Sequence, residues 1–316
     1  MKRTPWLLIF LVLAAVTSAV LFFAATPPRV VLHDEVERSP AAEVAAGEYL
    51  VRLAGCAACH TDNKTGGQPF AGGSAFPTAY GTFYAPNITP DPATGIGRWS
   101  EEDLGRALRY GIAPGGHAYY PVFPYTAYTD LSDDDLGAIY AYLMTVTPVS
   151  RVSKAHVLPW YLTRATARAW QMAFFRPGRG QFTHSTDTLL GRGEYLAKSV
   201  AHCGECHTPR NTFGALKRSY HLAGVTASPV LDGKAVPNIT RAFKGGIGKW
   251  GAADLKQFFQ TGQRPEGKDV GGAMAEVIDG RLKYLSPEDS KALVTYIRSV
   301  PEAETLPWWS SLPSLR

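Results

Sequence analysis

Sulfur is scarce in this 316-residue chain, which has four cysteines and four methionines. All four cysteines, Cys56, Cys59, Cys203 and Cys206, fall in two C-x-x-C-H runs. None is left for a structural disulfide or a lone nucleophile. Net charge is also low, at +5, too mild to argue for nucleic-acid binding. No Ser-His-Asp arrangement, Gly-rich phosphate loop or paired-carboxylate constellation stands out. Nor is there a sustained apolar–polar alternation that argues for strands. The length and the 45% apolar content suit two ordinary domains of about 100–150 residues each, plus extras.

The first of those extras is an uncharged run at residues 6–25, WLLIFLVLAAVTSAVLFFAA, preceded by Lys2 and Arg3. At about 1.5 Å per residue it matches the roughly 30 Å hydrocarbon core of a bilayer. Positive flanks stay inside, so residues 1–28 are expected to form a single-pass anchor in the inner membrane, with the rest in the periplasm. A signal peptide cleaved after Thr17-Ser18-Ala19 is the alternative; the apolar run continues six residues past that site, longer than an ordinary signal core.

The remainder is an internal repeat. GEYLVRLAGCAACH (47–60) matches GEYLAKSVAHCGECH (193–207), with one extra residue before the second pair of cysteines. PNIT recurs at 86–89 and 237–240, and a Gly-Ile-Gly-basic-Trp run follows each time, ending at Trp99 and Trp250. Leu131-Ser132 and Leu285-Ser286 then open amphipathic segments. The units cover about 40–148 and 187–302, within domains at 29–148 and 187–316. Apolar spacing of three and four, caps at Ser100, Ser132 and Ser286, and acidic first turns predict three helices per unit. A small all-helical domain wrapped around something large is the economical reading. The joining segment, 149–186, has six Lys or Arg, no acid, and the aromatics Trp160, Tyr161, Trp170, Phe174 and Phe175. It is expected to be a crossover packed in the groove between the domains. A docking face for an acidic partner or anionic lipid is the alternative. The terminal LPWWSSLP is read as a cover on the second domain rather than a docking segment.

Repetition also decides what the cysteines do. Zinc would need both pairs to converge and would leave the following histidine idle twice. A redox dithiol would need a βαβ context. In a c-type haem site the cysteines form thioethers to the porphyrin and the adjacent histidine sits beneath the iron. The sequence therefore predicts two covalently bound haem c groups, attached at Cys56/Cys59 and Cys203/Cys206, with His60 and His207 as proximal ligands. Of the methionines, Met1 is the start, Met144 lies in a helical pattern and Met172 in the crossover. Met274, in a Gly-rich loop, is left as the second ligand opposite His207. Phe123 stands at the same twelve-residue distance from Gly111 as Met274 does from Gly262. A phenyl ring cannot coordinate iron. The first iron is left five-coordinate, ligated by His117 from the pliable APGGHAYY loop, or ligated by a partner chain. Trp99, Trp250, Asn87 and Asn238 are candidates for contacts to haem edges or propionates, with packing the alternative for the aromatics. His202 is read as a surface or packing residue, and His33, His156, His184 and His221 as facing water.

These residues carry a resemblance. CxxCH, PNIT, the Gly-Ile-Gly-basic-Trp run, the YP-x-x-PY loop, LSDDDLGAIYAYLMTVTPV and GRGEYLAKSVAHCGECHTPRNTFGAL together resemble the membrane-bound multihaem cytochrome c subunits of periplasmic alcohol and gluconate dehydrogenases, over nearly everything after residue 40. The resemblance implies two tandem cytochrome c-like domains in an electron-transfer subunit. Such a subunit takes electrons from a periplasmic dehydrogenase or respiratory-complex subunit. It passes them to quinone, another cytochrome or a terminal oxidase. Those subunits commonly have three haems and a methionine in the YP-x-M-PY loop; this chain has two CxxCH runs and Phe123. A peroxidase or thiosulfate-oxidising haem enzyme, or a gas sensor, using an open first haem is the alternative.

Overall fold

Serine caps and left-handed glycines set the helix ends. Helix α1 (Pro40–Ala54) begins after Ser39, whose hydroxyl accepts from the Ala42 amide at 3.4 Å, and stops at Gly55, φ +70°. That φ favours glycine, and the chain turns straight into the short helix α2 (Cys56–His60). A hairpin of β1 (Ala75–Thr78) and β2 (Gly81–Tyr84) follows. Helix α3 (Glu101–Tyr110) carries a Ser100–Asp103 capping box and ends at Gly111, φ +63°. The first repeat closes with α4 (Tyr125–Tyr128) and α5 (Asp133–Thr145), the latter capped by Ser132. Helix α6 (Arg164–Phe174) lies in the crossover. The second repeat comprises α7 (Leu189–Tyr195), α8 (Gly204–His207), α9 (Ala252–Thr261), α10 (Ala273–Gly280) and α11 (Pro287–Ser299), capped by Ser286. This computed structural model describes residues 39–178, 187–228, 231 and 233–305. The run at 6–25, His33, His184 and LPWWSSLP lie outside the described residues, among which no helix is long and apolar enough to cross a membrane.

The extra residue of the second repeat is absorbed locally. Helix α7 runs on as a π-helical turn, Leu196–Val200, in which the Ala201 amide donates to the Leu196 carbonyl at 2.8 Å. A π turn is the usual way a helix accommodates one inserted residue without losing its packed face. The expectation of no strands needs correction. The hairpin pairs Ala75 with Tyr84 and Thr78 with Gly81, and Thr82 and Val157 exchange backbone bonds at 2.9 Å. Four-residue strands are too short to show alternation, and the third partner, Val157, comes from the distant crossover.

In each repeat the first and last helices cross at a glycine. A Cβ on Gly47 would lie 1.9 Å from the Ala138 carbonyl oxygen on α5, and one on Gly193 would lie 2.0 Å from that of Ala292 on α11. Only hydrogen fits, so the backbones touch. One apolar core then runs through both repeats, from Leu50, Leu53 and Leu136 to Leu196, Leu293 and Ile297. The repeats also exchange equivalent polar contacts. The Tyr49 hydroxyl donates to Asp289 Oδ2 at 2.8 Å and accepts from the Ser286 amide at 3.2 Å. Tyr195 does the same with Asp135 and the Ser132 amide. Burial, with the Asp289 carboxylate adding to it, pushes the Tyr49 phenol up to about 12, so it stays a donor at neutral pH.

The crossover packs on both repeats. Gln171 is buried and donates to the Gly111 carbonyl at 2.9 Å, and the Phe175 ring meets Tyr125. The Trp170 indole donates to the Phe213 carbonyl at 2.7 Å, and Phe174 stacks on Phe213. Not every aromatic is packed, for Trp160 is 90% exposed and Tyr161 55%.

Candidate haem centres

Cys56, Cys59 and His60 share one helical turn, α2, and their i, i+3, i+4 spacing puts them on one face. Cys203, Cys206 and His207 repeat this on α8 and its N-cap. All four thiols are free and half-buried. Burial pushes Cys56 and Cys203 up to about 12 and raises Cys59 and Cys206. Low-pKa thiolates of the redox-dithiol kind are therefore not built here. Among the described residues no group of three or more His, Cys, Asp or Glu converges as a metal cage.

Each histidine is oriented by a proline carbonyl. His60 Nδ1 lies 2.8 Å from Pro86 O, and His207 Nδ1 lies 2.8 Å from Pro237 O. A carbonyl only accepts, so Nδ1 carries the proton and donates, leaving the Nε2 lone pair for a metal. Burial lowers the pKa of both rings, with the hydrogen bond opposing, which keeps them neutral. The residues thus fit a haem iron as proximal ligands.

The PNIT repeats explain how those carbonyls are held. Asn87 Oδ1 accepts from the Thr89 amide at 2.9 Å and hydroxyl at 2.8 Å, while Nδ2 donates to Val149 O at 2.7 Å. Asn238 bonds Thr240 at 2.8 and 2.7 Å and Ala303 O at 2.6 Å. Both asparagines are 3% exposed. This corrects the expectation of haem contacts from their amides, which are occupied in fastening the loop. Gly72 and Gly224, unmarked by any sequence argument above, complete the cradle. Their amides donate to His60 O at 2.7 Å and His207 O at 2.8 Å. Their φ values are +74° and +70°, and a Cβ would lie 2.5 Å from Pro86 C or 2.4 Å from Asn238 N. Gly72 lies 12 residues past His60 and Gly224 17 past His207, so the repeat gave no common register that could have found them.

On the distal side, Met274 is half-buried against the core. It lies in the first turn of α10, not in a Gly-rich loop as the sequence suggested; Gly271 and Gly272 stop just short of the helix. Phe123 sits at the matching position before α4, half-buried, its ring edge-on to Tyr119 at 5.5 Å and Tyr125 at 6.2 Å. His117 is exposed in a tight turn closed by Ala113 N to His117 O at 2.9 Å, with its ring against Tyr119. Trp99 and Trp250 pack half-buried on the core.

Three histidines differ from expectation or sharpen it. His202 is a packing residue, its Nε2 3.0 Å from Ala54 O and its ring edge-on to Tyr128. His221 does not face water; its Nε2 bonds the Tyr296 hydroxyl at 3.1 Å. His156 accepts from the Tyr84 amide at 3.2 Å and packs on Phe83 and Tyr120. In both corrected cases the partner is distant in sequence.

A helical CxxCH turn whose histidine is locked by a remote carbonyl, with Nε2 free, defines a covalent haem c protein. Comparison with known proteins agrees. The profile described as Cytochrome c matches residues 44–147. The fructose dehydrogenase cytochrome subunit of Gluconobacter japonicus is 40% identical over 91% of this chain and 59% of its own length. The gluconate 2-dehydrogenase cytochrome c subunit of Pantoea cypripedii is 38% identical over 81% of this chain, again 59% of its own length. A diheme cytochrome c-type protein of Cereibacter sphaeroides is 36% identical over 83% of this chain and 87% of its own length. The chain therefore belongs to the cytochrome c family, and it spans a little over half the length of the dehydrogenase subunits it matches.

Proposed function

We propose that the chain is a dihaem electron carrier. It takes electrons from a dehydrogenase or respiratory-complex subunit on the periplasmic side and passes them to quinone, another cytochrome or a terminal oxidase. The observation that carries this reading is the duplicated geometry, His60 on Pro86 O and His207 on Pro237 O, both at 2.8 Å. Bound haem supplies a one-electron couple; the protein supplies orientation and tuning. In this reading His60 and His207 hold the iron through Nε2, and Cys56, Cys59, Cys203 and Cys206 anchor the porphyrins. Met274 offers its thioether sulfur in the second half, and Phe123 keeps the first half apolar without offering a ligand. The first site then takes no sixth ligand, His117, or a partner's residue. Residues 6–25 tether the chain to the inner membrane and its lipid.

Haem staining of denaturing gels with intact-mass measurement tests the core of the proposal. Two attached groups per chain are expected, and one or none overturns it. A mature chain beginning near Val20 or Thr26 and released by salt overturns the tether. The Phe123 substitution favours one second reading, a ligand-binding first haem. Tight carbon monoxide binding without turnover supports a sensor, and peroxide turnover supports an enzyme.

A further inference from the structure

Arg281 lies between the two CxxCH motifs. It follows α10 in the second repeat, yet its guanidinium packs on Gly55, the residue before Cys56: a Cβ there would lie 1.9 Å from its Cζ. Its Nη1 also lies 3.5 Å from Nε2 of His202, the residue before Cys203. One side chain thus touches the residue preceding the first cysteine of both motifs.

The charge is not spent elsewhere. Arg281 is half-buried and makes no salt bridge among the described residues. Glu205, an acid acting on the same cluster, is committed to Arg210 at 2.5 Å and to the Thr126 hydroxyl at 3.0 Å. The matching stretch of the first repeat, Tyr125 to Asp130, holds no Lys or Arg. A half-buried cation without a carboxylate is costly unless something offsets it. Here its field falls on both haem attachment sites at once.

We infer that Arg281 is the shared electrostatic setting of both redox centres, a positioned charge that raises the two reduction potentials together. The inference rests on the dihaem reading above. The oxidised iron centre carries one more positive charge than the reduced one, so a fixed cation nearby disfavours oxidation. A charge touching both motifs moves both couples in the same direction and preserves the step between them.

The test is a potentiometric titration of the full-length chain, followed in the visible haem bands, for wild type, Arg281→Gln, Arg281→Lys and Lys283→Gln. For Arg281→Gln, the reduced-to-oxidised ratio at fixed potential should fall roughly three- to tenfold at both haems, from Coulomb's law at an effective dielectric near 20. Tenfold is 59 mV for one electron. Arg281→Lys, which keeps the charge, should stay near wild type. Lys283→Gln removes an exposed, screened charge and should shift neither. Unmoved potentials, a shift at one haem alone, or an equal shift in Arg281→Lys overturns the inference. If Arg281→Gln does not assemble both haems, Arg281→Met, which fills the seam without charge, is measured against the same outcomes. A single haem per wild-type chain overturns the dihaem reading and the shared role with it. Two haems with unmoved potentials overturn the role of Arg281 alone.

Discussion

The first repeat carries Phe123 ahead of the four-residue helix α4, whereas the second carries Met274 inside the eight-residue helix α10. On the opposite side of the same units almost nothing differs. His60 and His207 meet proline carbonyls at the same 2.8 Å, Asn87 and Asn238 tie equivalent loops, and Gly72 and Gly224 approach them equally closely. The proximal side must hold a ring in place, and its support is backbone carbonyls and amides fastened by a buried asparagine and a buried threonine in each half. The distal side presents one side chain, which can change without disturbing the loop beneath it. A second contrast is electrostatic. Glu48 and Arg52 form an exposed pair at 3.0 Å, while the equivalent Glu194 is buried and pairs with Lys198 at 2.6 Å, beside His221 and Tyr296.

The largest expected effect removes one half of the comparison. Replacing Cys56 and Cys59 by alanine, or Cys203 and Cys206, should leave a chain with one covalent haem, read by intact mass. Two haems surviving either double substitution would show that the motif does not attach the group.

Exchanging the distal side chains comes next. Met274→Phe should abolish the Met–Fe(III) charge-transfer band and lower the second potential, because a thioether ligand raises it. Phe123→Met should create such a band in the first half. A band already present in wild type at the first haem sinks the Phe123 assignment, and its survival in Met274→Phe sinks that of Met274.

The helix crossings should respond alike. Gly47→Ala and Gly193→Ala each force a methyl into a backbone carbonyl, and each should cost about 3 kcal/mol, the upper end of overpacking penalties. Thermal melts of the two variants should agree; a neutral result at either would mean the crossing can open.

The smallest effect separates the halves by pH. Burial, helped by the Lys198 charge and opposed by Glu194, lowers His221 to about 4. Between that value and the ordinary 6.5 the unfolded chain binds the proton and the folded one does not. Stability should therefore fall as pH drops through this window, by on the order of 2 kcal/mol. His221→Phe should flatten the curve there, as followed by denaturant melts; an unchanged slope would remove His221 as its source.

Much of this protein was legible before its structure. The CxxCH spacing is a helical-turn spacing, Ser100, Ser132 and Ser286 cap the helices they precede, and the repeated motifs paired the two halves segment by segment. These are features of neighbours within about four positions, where chain geometry leaves little choice. What tertiary structure decided lies further apart. Pro86 reaches His60 across 26 residues, His221 meets Tyr296 across 75, His202 contacts Ala54 across 148, and Tyr49 finds Asp289 across 240. Even the one-residue excess of the second repeat is taken up in a π turn that lies between Gly193, packed on the Ala292 carbonyl, and Cys203. Such contacts leave no period in the sequence, because the partner's position is set by packing two repeats around one core. Arg281 could thus be read as an ordinary surface arginine until the fold brought Gly55 and His202 against it.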